Sequence, residues 1–194
     1  MNNTETLIDT NSIHQAIEMI LDEHKQLFKS LSFERISAIV PTLNDAKNIF
    51  LIGAGRTGFM IKAAAMRLMH LGYTVYVVGE TTTPAIGKGD LLIAASGSGT
   101  TSTIVKAAET AHKNEASIIC FTTNSKSPLA ELANHTITIP AAGKQELKEA
   151  VSAQYAGSLF EQSFLLLFDA LIQYLWKKDG STAGELWKRH ANME

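Results

Sequence analysis

Two short stretches of the sequence carry residue types that hold anions. Residues 53–58, GAGRTG, set Gly53, Gly55 and Gly58 in the spacing G-x-G-x-x-G, with Arg56 and Thr57 inside the turn. Glycines let a backbone turn tightly and approach a ligand, and the helix-like run that follows offers unpaired N–H groups and the positive end of its dipole. Residues 96–102, SGSGTTS, bring the hydroxyls of Ser96, Ser98, Thr100, Thr101 and Ser102 together with two glycines before another helix-like run. A helix cap at Thr100 or Thr101 needs one hydroxyl. Five in seven residues supply donors for the oxygens of a phosphate. The first stretch alone also fits a dinucleotide-binding turn, which wants an acidic residue about 20 residues on for the ribose hydroxyls. Glu80, closing TVYVVGE, stands in that place. Against an NAD site, Arg56 crowds a turn where small residues face a pyrophosphate, and a second hydroxyl-rich turn is foreign to that fingerprint. Together the two stretches favour one monophosphate or sugar phosphate held between strand ends.

For both turns to face one ligand, a sheet must bring them to the same edge. Five short aliphatic runs, NIFLIG, TVYVVG, DLLIAAS, SIICFTT and HTITIP, are bounded by Gly, Asp, Asn, Ser or Pro and read as strands buried on both faces. Between them, TGFMIKAAAMRLMHLG, TTSTIVKAAETAHKN and SPLAELAN read as helices. This alternation predicts an α/β fold, a three-layer α/β/α sandwich around a mainly parallel five-stranded sheet of flavodoxin-like or Rossmann-like kind. Ligands of such sheets sit at the carboxyl ends of the strands. Ahead of the sheet, Ile13, Ile17, Ile20, Leu21, Leu27 and Leu31 recur at helical spacing behind capping candidates Asn11 and Ser12. A second helix carries Ile36, Ile39, Val40 and Leu43. A long helix from about Ser152 to Lys178 and a shorter one from near Ser181 close the chain, so helices at about 11–45 and 152–194 flank the core of a single domain.

Composition narrows the classes. With 194 residues, 45% hydrophobic and 19% charged, the chain can bury a sizeable core as one domain. A formal net charge of −2 gives no global positive field for nucleic acid or an anionic membrane, so anion binding must be local. The one cysteine, Cys120 in SIICFTT, excludes an internal disulfide and reads as a buried strand residue. MNNTETLIDT lacks the basic start and apolar core of a signal peptide, and no run reaches the roughly 18 apolar residues of a membrane span. A soluble, cytoplasmic protein is the expectation. No metal-ligand spacing such as H-E-x-x-H or C-x-x-C occurs, so no metal is expected.

The stretches GAGRTGFMIKAAAMRLMHLGYTVYVVGE, SGSGTTS, GSLFEQSFLLLFDA and the terminal RHANME resemble the sugar isomerase (SIS) domain, and within it the 6-phospho-3-hexuloisomerases. The likeness runs from about Ile49 to Glu194. It implies a homotetramer or dimer, no metal or organic cofactor, and reversible conversion of D-arabino-3-hexulose 6-phosphate to fructose 6-phosphate in the ribulose monophosphate pathway of formaldehyde fixation. It also implies substrate contacts from Gly55, Arg56, Thr57, Ser96, Ser98, Thr100, Thr101 and Ser102. Thr57 and Thr100 depart from that family, where serine and glutamate are more usual, and the segment AAGKQELKEAVSAQ (141–154) is expected near the sugar.

Moving a carbonyl by one carbon needs a base to take a proton from C2, a cis-enediol, and a proton returned at C3. One carboxylate can perform both transfers. Glu161 heads a helical stripe of Phe164, Leu165, Phe168, Leu171, Ile172 and Leu175, where burial favours the neutral acid and the helix N-terminus the charged one. Its S-x-x-E spacing from Ser158 also fits a capping box. In the resembling family a glutamate at this point is the base, and RHAN reaches a substrate site across a subunit contact. That assigns His190 to hydroxyl binding or proton shuttling. His14, His24 and His112 read as solvent-facing, His70 as a possible interface residue, and His135 as the start of a strand. Three other readings stay open: a sugar-phosphate sensor, for which no basic DNA-reading face precedes Asn48, an isomerase of another sugar phosphate, and, behind these, an NAD-dependent oxidoreductase.

Overall fold

Each of the five aliphatic runs forms a strand. In the computed structural model, which describes residues 10–141 and 152–193, these are β1 (Ile49–Gly53), β2 (Val75–Val77), β3 (Leu91–Ala95), β4 (Ser117–Thr122) and β5 (His135–Thr138). All pairings are parallel and the order is β2-β1-β3-β4-β5. This is the flavodoxin-like order, with its switch point between β1 and β3. Register is set there by Gly53 standing opposite Ala95, so the two strands end level.

The period of two along each strand builds two cores. Leu51, Leu91, Ile93, Ile119 and Phe121 point into one layer, formed with α1 (Thr10–Ser30), α2 (Phe33–Ser37), α3 (Val40–Asp45), α4 (Arg56–His70) and α7 (Ser158–Asp179). Phe50, Leu92, Ala94, Ile118 and Cys120 point into the other, under α5 (Ser102–Lys113) and α6 (Pro128–Leu132). Burial pushes the Cys120 thiol up to about 12. The short α8 (Ala183–Trp187) follows α7. On the α7 side Phe121, Phe164 and Phe168 pack ring on ring, Phe121 meeting Phe164 edge-on at 5.0 Å.

Close approach of β1 and α4 explains two of the first three glycines. A Cβ on Gly53 would stand 2.8 Å from Ile61 Cγ1, and one on Gly58 3.0 Å from the Gly53 carbonyl oxygen. A larger residue at either position would have to push the strand-to-helix seam apart.

Several expectations shift in detail. The second helix splits into α2 and α3, and α7 begins at Ser158 rather than Ser152, because residues 152–157 turn and Ala156 takes φ +52°. Helix α1 is already helical at Thr10, so Asn11 and Ser12 lie within it rather than ahead of it. Ile13, Ile17 and Leu21 are exposed, since α1 contacts the core only through its second half. His24 is not solvent-facing: it is 5% exposed and turned toward α7. No described helix is long and apolar enough to cross a membrane.

Candidate active site

Because every strand runs the same way, the turns after β1, β3 and β4 open on one edge of the sheet. The turn after β1 ends at Gly55, whose φ of +59° suits a residue without a side chain, and whose place at the N-cap of α4 leaves that helix start without a side-chain cap. Arg56 then reaches across to α7. Its Nη1 donates to Glu161 Oε2 at 3.0 Å and to Ser158 Oγ at 3.1 Å. The Arg56 side chain is half exposed while that of Glu161 is 5% exposed, so the acid is sheathed and the cation faces solvent. Ser158 makes no capping box with Glu161; it lies inside α7, whose N-cap is Gly157. Thr57 is buried within the first turn of α4.

The SGSGTTS turn after β3 divides its hydroxyls between two tasks. Ser96 is buried, accepts from the Gly99 N–H at 3.1 Å and pairs with Thr101 Oγ1 at 2.9 Å. Ser98, Thr100 and Ser102 are exposed, with Thr100 donating to Ser98 Oγ at 2.9 Å. Thr101 is the N-cap of α5, yet its hydroxyl serves the loop and makes no side-chain cap. Gly99 has φ +65°, and a Cβ there would overlap the Ser127 hydroxyl. Phe160 lies over the same turn: a Cβ built on Gly97 would stand 3.5 Å from its ring. The arginine turn, the hydroxyl turn and the start of α7 therefore meet at the β1/β3 switch point.

Sequence reasoning missed the brace beneath this turn. Thr122 Oγ1, Thr123 Oγ1 and the Thr123 N–H converge on the Gly97 carbonyl at 3.1, 2.9 and 2.9 Å. The Leu129 N–H holds the Gly99 carbonyl at 3.1 Å, and buried Ser127 caps α6. The signal was present in FTTNSKS, a second cluster of hydroxyls at a strand end. Glu80 pairs instead with Lys62 at 2.7 Å on the exposed face of α4, and Arg56 is engaged by Glu161, so the arrangement does not resemble a ribose and pyrophosphate site.

His190 is not brought to Glu161 within the chain. It stacks on His70 at 3.8 Å and on Trp187 at 4.6 Å, while Arg189 donates to the His70 carbonyl at 2.8 Å. His70 ends α4, fourteen residues beyond Arg56 and so about 21 Å along the helix axis. A cavity of about 370 Å³ opens there, lined among others by Arg67, Asp169, Gln173 and Trp176. Burial, then the neighbouring His190 and Arg67, hold His70 below the usual imidazole range. The stretch 141–154 lies mostly outside the described residues, which exclude 142–151.

Residues 42–165 match the family model for the SIS domain. The chain belongs to the SIS family. Within that family it is 47% identical over 184 residues to a 3-hexulose-6-phosphate isomerase of Mycobacterium gastri, covering 95% of this chain and 92% of that one. A 3-hexulose-6-phosphate isomerase of Bacillus subtilis strain 168 is 36% identical over 176 residues, covering 90% and 95%. Among solved structures, a hypothetical protein of Methanococcus jannaschii, for which the molecular function of 3-hexulose-6-phosphate isomerase was inferred, superposes with a TM-score of 0.80 at 31% identity, covering 93% and 99%. The two turns and Glu161 all fall inside the SIS match.

Proposed function

We propose that this SIS protein is a 3-hexulose-6-phosphate isomerase, interconverting D-arabino-3-hexulose 6-phosphate and fructose 6-phosphate. The observation that carries the reading is the meeting of a buried glutamate, a half-exposed arginine and a hydroxyl-rich turn at one switch point, in a chain 47% identical to a protein of that name. Ser98, Thr100, Ser102 and the free end of α5 receive the phosphate, on a turn whose shape Ser96, Thr101 and Gly99 keep. Glu161 takes the proton from C2, leaving a cis-enediolate, and returns it at C3. Arg56, in contact with that carboxylate, supplies positive charge where the enediolate oxygen develops, and Gly55 and Thr57 shape its turn.

His190 passes the hydroxyl proton between the two oxygens, acting from a neighbouring copy, because its own α4 holds it far from Glu161. A homotetramer or dimer fits the exposed apolar side chains Ile13, Ile17 and Leu21 on α1 and Phe59, Met66 and Met69 on α4. The pathway place is formaldehyde fixation in the cytoplasm.

The test is an isomerase assay on fructose 6-phosphate beside arabinose 5-phosphate and sedoheptulose 7-phosphate, with product identified by NMR. Equilibration of fructose 6-phosphate with the 3-hexulose is expected. Tight binding without turnover would leave a sensor, and preference for another sugar would move the substrate. Mixing inactive Glu161→Gln with His190→Ala subunits should restore part of the activity if each site draws on two copies.

A further inference from the structure

Two adjacent residues of the chain's first helix hold the segments on either side of Glu161. Glu23 and His24 stand side by side on α1, at the point where that helix meets α7. The Glu23 carboxylate accepts from Ser152 Oγ at 2.8 Å, the Ala153 N–H at 2.6 Å and Gln154 Nε2 at 2.9 Å, three donors from one tripeptide. Burial opposes its ionisation, but the bonds from Gln154, Ala153 and Ser152 prevail and hold it below the usual carboxylate range. The His24 ring, stacked on Phe28 at 5.9 Å, pairs through Nε2 with Gln162 Oε1 at 2.9 Å and through Nδ1 with Ser163 Oγ at 3.1 Å. A ring carrying its proton on Nε2 satisfies both, donating to the amide oxygen and accepting from the hydroxyl. His24 is 5% exposed and Ser163 fully buried, so the bond between them is shielded from water, while the one to Gln162 is part-buried.

The two grips bracket the acid. One holds residues 152–154, just before the turn that starts α7 at Ser158; the other holds residues 162 and 163, directly after Glu161. Ser158 and Glu161 are the two groups that Arg56 touches. A shift of α7 by a fraction of a turn would alter both contacts. Since misplacement of a reacting group by about 1 Å costs about a hundredfold in rate, whatever fixes this entrance sets the efficiency of proton transfer. The phosphate turn, by contrast, is braced from β4 and α6 and makes no described hydrogen bond with Glu23 or His24.

We propose that Glu23 and His24 are positioning residues for the isomerisation, locking the N-terminal turn of α7 on both sides of Glu161 so that its carboxylate meets the substrate. This rests on Glu161 being the base. Steady-state kinetics with fructose 6-phosphate test it in Glu23→Gln, His24→Ala, His24→Gln, Leu27→Ala and Glu161→Gln. Glu23→Gln and His24→Ala are expected to lower kcat about tenfold or more while KM stays within about twofold. His24→Gln, which returns an amide donor toward Gln162, should recover part of that loss. Leu27→Ala empties a core position on the same helix and should lower Tm at least as much as His24→Ala yet keep kcat. Unchanged kcat in Glu23→Gln and His24→Ala, or a kcat loss that follows Tm through Leu27→Ala, overturns the proposal while an inactive Glu161→Gln leaves the base in place. A fully active Glu161→Gln removes both.

Discussion

Helix α4 meets a different partner at each end, α7 at its start and the residues after α8 at its finish. At the strand-end side Arg56 meets Glu161 beside two glycine turns; at the other, His70 meets His190 under Trp187 beside a cavity of about 370 Å³. The second end offers an open cavity, two imidazoles, an arginine and an aspartate. It lacks the parallel strand ends that make an anion site in such a sheet, and α8, the described helix that starts there, is only five residues long. Concavity and titratable side chains are thus poor guides alone, and the direction of the strands decides which end can hold a sugar phosphate. The far end serves to fasten the C-terminal residues to α4 through His70 and Arg189.

Three measurements would break or sharpen this contrast. Glu161→Gln at the strand end should cut kcat by about a thousandfold, within the range of lost acid–base catalysis, with Tm and KM little changed. A residual rate above a tenth of wild type would put the base elsewhere.

Gly99→Ala should act through the turn rather than the acid. The left-handed backbone strain is worth about 1–2 kcal/mol, and the added methyl would displace Ser127. KM for the sugar phosphate should rise several-fold and Tm fall; an unchanged KM would remove the turn from phosphate binding.

The smallest effect belongs to the far end and is one of pH. His70 is held below its ordinary value, so the folded chain binds fewer protons there than the unfolded one. Its contribution to stability is complete above about pH 6.5, the ordinary imidazole value, and is lost as pH falls through the depressed one. Protonation would set charge against His190, Arg67 and Arg189, with Asp169 lining the same cavity. Melting curves from pH 7.5 to 5 should therefore fall more steeply for wild type than for His70→Leu. Parallel curves would show that the stack does not couple to acid.

How much of this was legible in the residues differs by element. The five strands could be read because Gly, Asp, Asn and Pro punctuate each aliphatic run, and the SGSGTTS turn because five hydroxyls exceed what one cap needs. The strand order could not, since the choice between Rossmann-like and flavodoxin-like depends on which faces the helices cover. His24 was misjudged although the pattern held a clue. It is four residues after Ile20 and three before Leu27, on the stripe that the second half of α1 turns inward. The start of α7 was set too early because residues 152–157 carry helix-compatible side chains, while Ala156 and Gly157 end the turn geometrically. For Glu161 the capping-box spacing with Ser158 is a false lead, because α7 is capped at Gly157 and the acid instead meets Arg56 at the start of α4. Such a contact spans 105 residues and leaves no local mark.

Cys120 sits on β4, two residues before Thr122 and the brace of the hydroxyl-rich turn, with its thiol raised to about 12. At neutral pH only about one such thiol in 10⁵ is ionised, and the thiolate is the form that reacts with oxidants and carbonyl electrophiles. The chain's sole sulfhydryl is thus hidden from oxidants and electrophiles by the sheet itself. Peroxide or aldehyde exposure that spares the fold should spare this residue as well.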